Sequence, residues 1–253
     1  MTDDPREVTR VRDPVLILGA AAWLGLLLDP GGRLMQEHCL AAHSGRLPPT
    51  WTAVASLAAG WGLMLVAMMA PALILPVVHL RRRSFKRRRG RAVAHFAIGY
   101  GAVWMAVGGV LLTAVIALGA WVPNPLLPAV GAILLAARWQ LSPAKQRCLN
   151  RCHAHGELAA FGAAAEWGAL RFGASHGVRC AGSCWALMLA PMLLPRWHVA
   201  AMAVVAVLTW SERLERPRPP RWRWRGLGRA GRIAVAQARL VAQPLAQRLF
   251  PAS

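Results

Sequence analysis

Long uncharged apolar runs are the feature that most restricts how this chain can fold. Residues 51–80 and 92–121 contain no acidic or basic side chain other than histidine, and 56% of the 253 residues are hydrophobic. An α-helix needs ~20 such residues to cross a ~30 Å hydrocarbon layer. Only helices and closed barrels satisfy their backbone groups in lipid, and continuous apolar runs favour helices. We therefore predict an all-α fold, a polytopic transmembrane helix bundle.

The apolar runs predict about six spans. They cover residues 15–28, 51–80, 92–121, 126–137, 178–194 and 197–210. Prolines 71 and 76 interrupt the second span. Scattered charges between residues 156 and 175 predict an interfacial or re-entrant helix before span five. We expect no cleavable signal peptide, because no small-residue cleavage site follows the first apolar run.

The distribution of basic residues predicts the topology. The net charge is +20, and the densest basic cluster, residues 81–91, should be cytoplasmic. If successive spans cross the membrane in alternating directions from this loop, the N-terminus (1–13) and the basic tail (213–253) both lie in the cytoplasm. Residues 14–212 between them form a single bundle. The basic loop and tail predict contact with anionic lipids, and the tail is either an amphipathic surface helix or disordered. We expect no nucleic-acid binding, because the positive-inside rule already accounts for the clusters.

The segment HGVRCAGSCWALMLAPM, residues 176–192, places a metal-binding side chain at every fourth position. The five are His176, Cys180, Cys184, Met188 and Met192. Sulfur ligands favour Cu(I), and imidazole suits copper or zinc. Neighbours four apart share a helix face, but each step drifts about 40°, so the five cannot form one site. We predict a metal pair at Cys180 and Cys184, with His176 as a further ligand, near the cytoplasmic rim of span five.

Span two carries a second set of sulfurs, Met64 and Met68, again four apart and just before Pro71. If they face Met188 of span five, these thioethers would offer further ligands to a soft metal ion inside the bundle. Methionine is also an ordinary apolar filler of helices, so packing is the alternative interpretation.

Two smaller patterns complete the candidate residues. Cys148, Cys152, His153 and His155 form a compact cluster that could make a tetrahedral site for zinc or copper. A weaker set, His38, Cys39 and His43, lies in the predicted external loop. Glu166 and Arg171 are a candidate structural ion pair.

Three stretches resemble the bacterial DUF2182 family of predicted metal-binding integral membrane proteins, over roughly residues 50–215. The stretches are 67–71 (AMMAP), 140–152 (QLSPAKQRCLNRC) and 168–188 (GALRFGASHGVRCAGSCWALM). The family often has adjacent cysteines where this chain reads Ser183-Cys184. The resemblance implies metal handling in a bacterial inner (plasma) membrane.

Three functions follow from these patterns. The first is a membrane protein that binds and passes or transports Cu(I), with a metallochaperone or another membrane protein as partner. The second is a non-catalytic scaffold that assembles another membrane complex. The third is a thiol- or metal-dependent membrane enzyme, but no nucleophile–base pair, cofactor motif or nucleotide-binding loop supports a named reaction. We therefore expect a copper-handling protein rather than an enzyme.

Overall fold

The fold is all-helical, as predicted. The computed structural model describes residues 5–28, 50–122, 124, 126–154, 158–159, 161–194, 197–224, 228, 231–233 and 235–236, and these contain no β-strand. Their helices are, in chain order, α1 Pro5–Leu28, α2 Trp51–Met69, α3 Ile74–Arg82, α4 Arg89–Trp121, α5 Leu126–Leu141, α6 Pro143–Cys152, α7 Gly162–Leu193 and α8 His198–Leu214.

Helix α7 is the centre of the bundle and packs against α4, α5, α6 and α8. Its contact with α4 is a backbone-to-backbone contact. A methyl group at Gly99 of α4 would overlap the Leu170 carbonyl oxygen of α7, and one at Gly173 would overlap the Phe96 carbonyl oxygen. Small residues allow such close approach between helices in membrane proteins. The glycines therefore fix the register of α4 against α7.

Three helical stretches of the described chain are long and apolar enough to cross a membrane: Arg6–Leu28, Val54–Arg82 and Lys86–Trp121. The α5–α6 pair, bent by 66°, makes a fourth if it counts as one span. The sequence predicted six. The remaining two predicted spans lie in α7 and α8, and α8, with 17 residues, is only about 26 Å long.

The predicted interfacial helix before span five is wrong as a separate element. Residues 162–193 form one continuous helix, α7, of 32 residues. Glu166 and Arg171, two of the charged residues that suggested a boundary, lie within this helix without breaking it. Glu166 is ion-paired with arginines of the basic loop and Arg171 is exposed, so neither charge has to end the helix.

Proline shapes two breaks that organise the bundle. A 3₁₀ turn at Ala70–Leu73, containing Pro71, separates α2 from α3, as the sequence predicted. The carbonyl of Met68, next to this break, accepts a 2.6 Å hydrogen bond from the Trp210 indole of α8. Ser142 caps α6 by accepting a hydrogen bond from the Lys145 amide, and Pro143 follows in the first turn.

Residues 5–13 of the N-terminal segment belong to the same helix as the first predicted span. Helix α1 begins at Pro5 and continues through Pro14. Glu7 is buried, and its carboxylate contacts Arg81 at 2.9 Å and Arg89 at 3.2 Å. This acidic residue therefore ties α1 to both ends of the basic loop.

The predicted ion pair between Glu166 and Arg171 is wrong. The carboxylate of Glu166 instead pairs with Arg88, at 2.8 Å, and with Arg91. Residues five apart lie about 140° from each other around a helix, so Glu166 and Arg171 point in different directions. Glu166 thus fastens the first turns of α7 to the start of α4.

We expect the ion pairs of Glu166 with Arg88 and Arg91 to weaken in acid. The hydrogen bond from Arg88, with the charge of Arg91, lowers the pKa of Glu166 below its usual value. Its contribution is therefore present above the unfolded-state pKa of about 4.3 and is lost as pH falls through the lower folded-state pKa. Glu166→Gln should lower the melting temperature slightly at neutral pH, and melting curves of both proteins should converge in acid. An equal difference at both pH values would contradict this assignment.

Candidate metal site

Cys180 and Cys184 lie on consecutive turns of α7 and are both 0% exposed. The Cys184 thiol points back along the helix and donates to the Cys180 carbonyl oxygen at 3.1 Å. Both side chains belong to the same buried cluster of the bundle. The sequence prediction that these cysteines form a local pair therefore fits their geometry. The expectation that Cys180 lies near water does not, because α4 covers this part of α7.

Aromatic side chains of α4 enclose the cysteine pair. The Tyr100 hydroxyl lies 3.4 Å from the Cys180 sulfur, and the Trp104 side chain adjoins the same sulfur. Trp61 of α2 holds this wall in place by donating a 3.0 Å hydrogen bond to the Trp104 carbonyl oxygen. Tyr100 directly follows Gly99, where α4 and α7 approach most closely, and Trp104 lies about one turn further along α4. The pair is therefore shielded from solvent by rigid, mainly apolar groups.

His176, the first residue of the predicted ladder, is also buried, at 2% exposure. Its ring lies 6.1 Å from those of Phe96 and Tyr100 and 6.3 Å from that of Phe172, measured between centroids. It is one helical turn from Cys180. The prediction that it sits near water at the rim is wrong, since three aromatic rings surround it.

The methionines of both predicted sets belong to one apolar cluster. Met64, Met68 and Met188 are at most 1% exposed, and Met192 is 3% exposed. All four share a contiguous buried cluster with Cys180 and Cys184. The cluster gives thioether groups on α2 and α7 a common interior. Their role as ligands stays a prediction.

The structure divides the cysteine–histidine cluster at the end of α6. Cys148 packs against Gly182 of α7, and Cys152 is buried within electrostatic range of Cys180. His153 instead lines an outer pocket of about 260 Å³. Burial lowers the pKa of this histidine, which favours the neutral ring. Its predicted partner, His155, lies outside the described residues, as do His38, Cys39 and His43.

No three histidine, cysteine, aspartate or glutamate side chains converge on a metal-sized space in the described part of the chain. Closed four-ligand sites of the zinc type need such convergence. A cysteine pair backed by methionines suits a soft ion that accepts few ligands, and Cu(I) is the soft ion that thiolates and thioethers select.

A buried charged network lies beside the cysteines. Lys145 of α6 is 0% exposed, and its ammonium contacts the Glu212 carboxylate of α8 at 2.8 Å. Gln140 of α5 accepts a 2.6 Å hydrogen bond from Lys145 and donates another to Glu212. The three residues join α5, α6 and α8 on the side of the 66° bend.

Arg213, the next residue after Glu212, is a partly buried cation in the last turn of α8. Its Nε and Nη2 atoms are buried and have no hydrogen-bond partner among the described residues.

Sequence reasoning missed this cation because Arg213 begins a long basic tail, to which we assigned it. The available signal was its position directly after an apolar run and next to an acidic residue. Sequence reasoning also missed Tyr100 and Trp104. Their spacing of four on an apolar run predicts that they share a helix face, but it does not predict that they contact the cysteines.

These features define a class: a helical protein with membrane-length apolar helices and a buried pair of cysteines among methionines. The chain matches the family model PpoB2, described as a copper chaperone, over residues 58–235. Because this match covers more than half of the chain, the protein belongs to that copper-related family. No curated protein and no solved structure matches it significantly.

Proposed function

We propose that this protein is an integral membrane copper chaperone that holds Cu(I) between the thiolates of Cys180 and Cys184 and passes it to a protein partner. The observation that carries the proposal is this pair of fully buried cysteines on one face of α7. Thiolates are the ligands that select Cu(I), and exclusion of water protects the ion from competing ligands.

The methionine cluster supports transfer rather than permanent storage. Thioethers bind more weakly than thiolates, and an ion that must leave needs several weak sites instead of one strong site. Met188 follows Cys184 by one turn, and Met64 and Met68 line the same interior. In our proposal these residues receive the ion on its way into or out of the cysteine pair.

The proposed location is a bacterial inner membrane, with the basic loop 81–91 and both termini in the cytoplasm. The positive-inside rule supports this orientation. The anionic leaflet then faces the arginines of the loop and tail. A copper-donating or copper-accepting protein is the expected partner on one side of the membrane.

Copper binding should depend on the cysteine pair. We expect protein purified anaerobically in detergent, after Cu(I) loading, to carry copper near stoichiometrically, as measured by elemental analysis. Cys180→Ser with Cys184→Ser should lose that copper, because a hydroxyl is a hard ligand that does not replace a thiolate.

Cys148→Ser is the matched control, since it makes the same substitution at a half-buried cysteine that packs on Gly182. It should keep the copper. Wild-type protein that takes up no Cu(I), or a double variant that binds as much as wild type, would exclude the proposed site. Copper loss in the Cys148 variant alone would move the site to α6.

A further inference from the structure

The tail that follows α8 folds back against the ends of α5 and α6. The Asn150 side chain of α6 donates a 2.8 Å hydrogen bond to the Arg218 carbonyl oxygen and accepts a 3.2 Å bond from the Arg218 amide. Further along the tail, the Arg223 amide donates to the Leu141 carbonyl oxygen at 3.2 Å. Main-chain groups of the tail make these bonds, so its arginine side chains are not needed for them.

The tail closes the outer pocket that His153 lines, and the lining of this pocket is strongly basic. Four arginines line it: Arg216, Arg218, Arg223 and Arg232. Its two acidic residues already have basic partners, since Glu215 contacts Arg218 at 2.9 Å and Glu212 contacts the buried lysine of the network at 2.8 Å. In the described part of the chain, no carboxylate pairs with the other three arginines. Guanidinium groups bind phosphate with paired hydrogen bonds, so this arginine pocket favours a phosphate-bearing anion.

An apolar groove of about 380 Å³ lies between α5, α7 and α8. Small side chains make room for it, because five of its lining residues are alanines: Ala136, Ala137, Ala190, Ala200 and Ala201. Ile133 of α5 and Val204 of α8, which also line it, are exposed at the surface. Along α8 the groove extends from Ala200 to Leu208, about 12 Å. An elongated groove with an almost entirely apolar lining fits a hydrocarbon chain.

Trp224 joins the two depressions, because it lines both the arginine pocket and the apolar groove. It is exposed, as is Trp222, whose ring centroid lies 5.5 Å from the Arg138 guanidinium. Tryptophan is enriched where the hydrocarbon of a bilayer meets the headgroups. The arginine pocket and the apolar groove thus follow one another in the order of a phospholipid headgroup and its acyl chain.

We propose that the arginine pocket and the apolar groove together bind one anionic phospholipid. Its phosphate pairs with the guanidinium groups of Arg216, Arg223 and Arg232, and one acyl chain lies in the groove along α8. The basic lining selects an anionic headgroup over a zwitterionic one, because a zwitterionic headgroup already carries its own cation. The bound lipid joins the tail to α5 and α8. This inference rests on the membrane location in the proposed function, but it requires neither copper nor the cysteine pair.

The test measures lipid binding by the metal-free, full-length protein in detergent. Phosphatidylglycerol and phosphatidylcholine with the same acyl chains are titrated separately, and the melting temperature is followed by intrinsic tryptophan fluorescence. Wild type should gain roughly 5 °C at saturating phosphatidylglycerol and clearly less with phosphatidylcholine. Native mass spectrometry should find one retained phosphatidylglycerol molecule per protein.

The headgroup contacts are tested by Arg216→Gln with Arg223→Gln. This variant should bind phosphatidylglycerol at least about tenfold more weakly, because two cations beside the phosphate are lost. Its stability without lipid should stay close to wild type, since the main-chain bond of Arg223 to Leu141 remains. The matched control is Arg83→Gln with Arg87→Gln, which removes the same charge from two exposed arginines of the loop 81–91 and should bind as wild type.

The acyl-chain contact is tested without changing any charge. Ala200→Phe fills the apolar groove and should also weaken phosphatidylglycerol binding. Ala203→Phe makes the same substitution at an exposed position of α8 outside the groove lining and should bind as wild type.

The other outcomes contradict the proposal. Equal stabilisation by both lipids, or an equal loss of binding in the Arg83 and Arg87 control, would show only general attraction to basic residues. Equal stabilisation by inorganic phosphate would replace the lipid by a free anion, and stabilisation by a polyglutamate peptide but not by phosphatidylglycerol would assign the pocket to a protein partner. Because the protein is metal-free throughout, a failure of the lipid site leaves the copper proposal intact, and a failure of copper binding leaves the lipid site intact.

Discussion

Lys145→Met should destabilise the protein by about 3–5 kcal/mol, because it leaves the Glu212 carboxylate buried without its cation. Lys145 is 0% and Glu212 3% exposed, so water cannot solvate the remaining charge. For a chain of this size the melting temperature should fall by roughly 10 °C, measured in detergent by intrinsic tryptophan fluorescence. Glu212→Gln should have a similar effect, since it strands the ammonium.

The double variant Lys145→Met with Glu212→Gln should recover most of this loss. It removes both charges together, and the amide at position 212 can still pair with Gln140. The rim pair of Arg218 and Glu215 is the control, because Arg218 is 43% exposed. Glu215→Gln should cost less than about 1 kcal/mol. A double variant as unstable as the singles would show that the network acts through specific hydrogen bonds instead of charge balance.

Gly99→Ala should separate α4 from α7 and lower stability by about 2–3 kcal/mol. The added methyl group would meet the Leu170 carbonyl oxygen and the Ala174 amide nitrogen, and neither backbone atom can rotate away. We expect a fall in melting temperature of roughly 5–10 °C and weaker copper retention, because Tyr100 would shift from Cys180.

Gly101→Ala is the matched control on the same helix, two residues away. A methyl group there has no atom within 4 Å, and alanine is the better helix former, so stability should stay equal or rise slightly. Equal effects of both substitutions would show that the loss comes from the glycine-to-alanine change in a membrane helix, and not from the α4–α7 contact.

The all-α fold and most helix positions could be predicted from the sequence, because apolar runs and proline breaks report directly on single helices. The main error was α7. Its charges suggested a boundary before residue 178, but Glu166 is neutralised by Arg88 and Arg91, which are about 75 positions earlier in the chain. Such pairing between distant segments cannot be read from a local pattern.

The candidate site could also be predicted only in part, because spacing within one helix is visible in the sequence and packing between helices is not. Spacing of four predicted that Cys180 and Cys184 face one way, since that is a property of one helix. It gave no indication that Tyr100 would meet Cys180, or that His176 would be enclosed by aromatic rings. These contacts depend on how α4 packs on α7, and the glycines that set this packing resemble any other glycines in an apolar run.

Complete burial of the cysteine pair also has a kinetic consequence. In the proposed site, an ion can reach or leave sulfurs that are 0% exposed only when α4 and α7 part or when the methionine-lined interior between α2 and α7 opens. Its residence time is then governed by how often these helices part, in addition to the strength of its bonds. Backbone amide exchange at the turn around Cys180 should therefore slow in parallel with copper release. Loosening the glycine contact would shorten the lifetime of the loaded state without changing a single ligand.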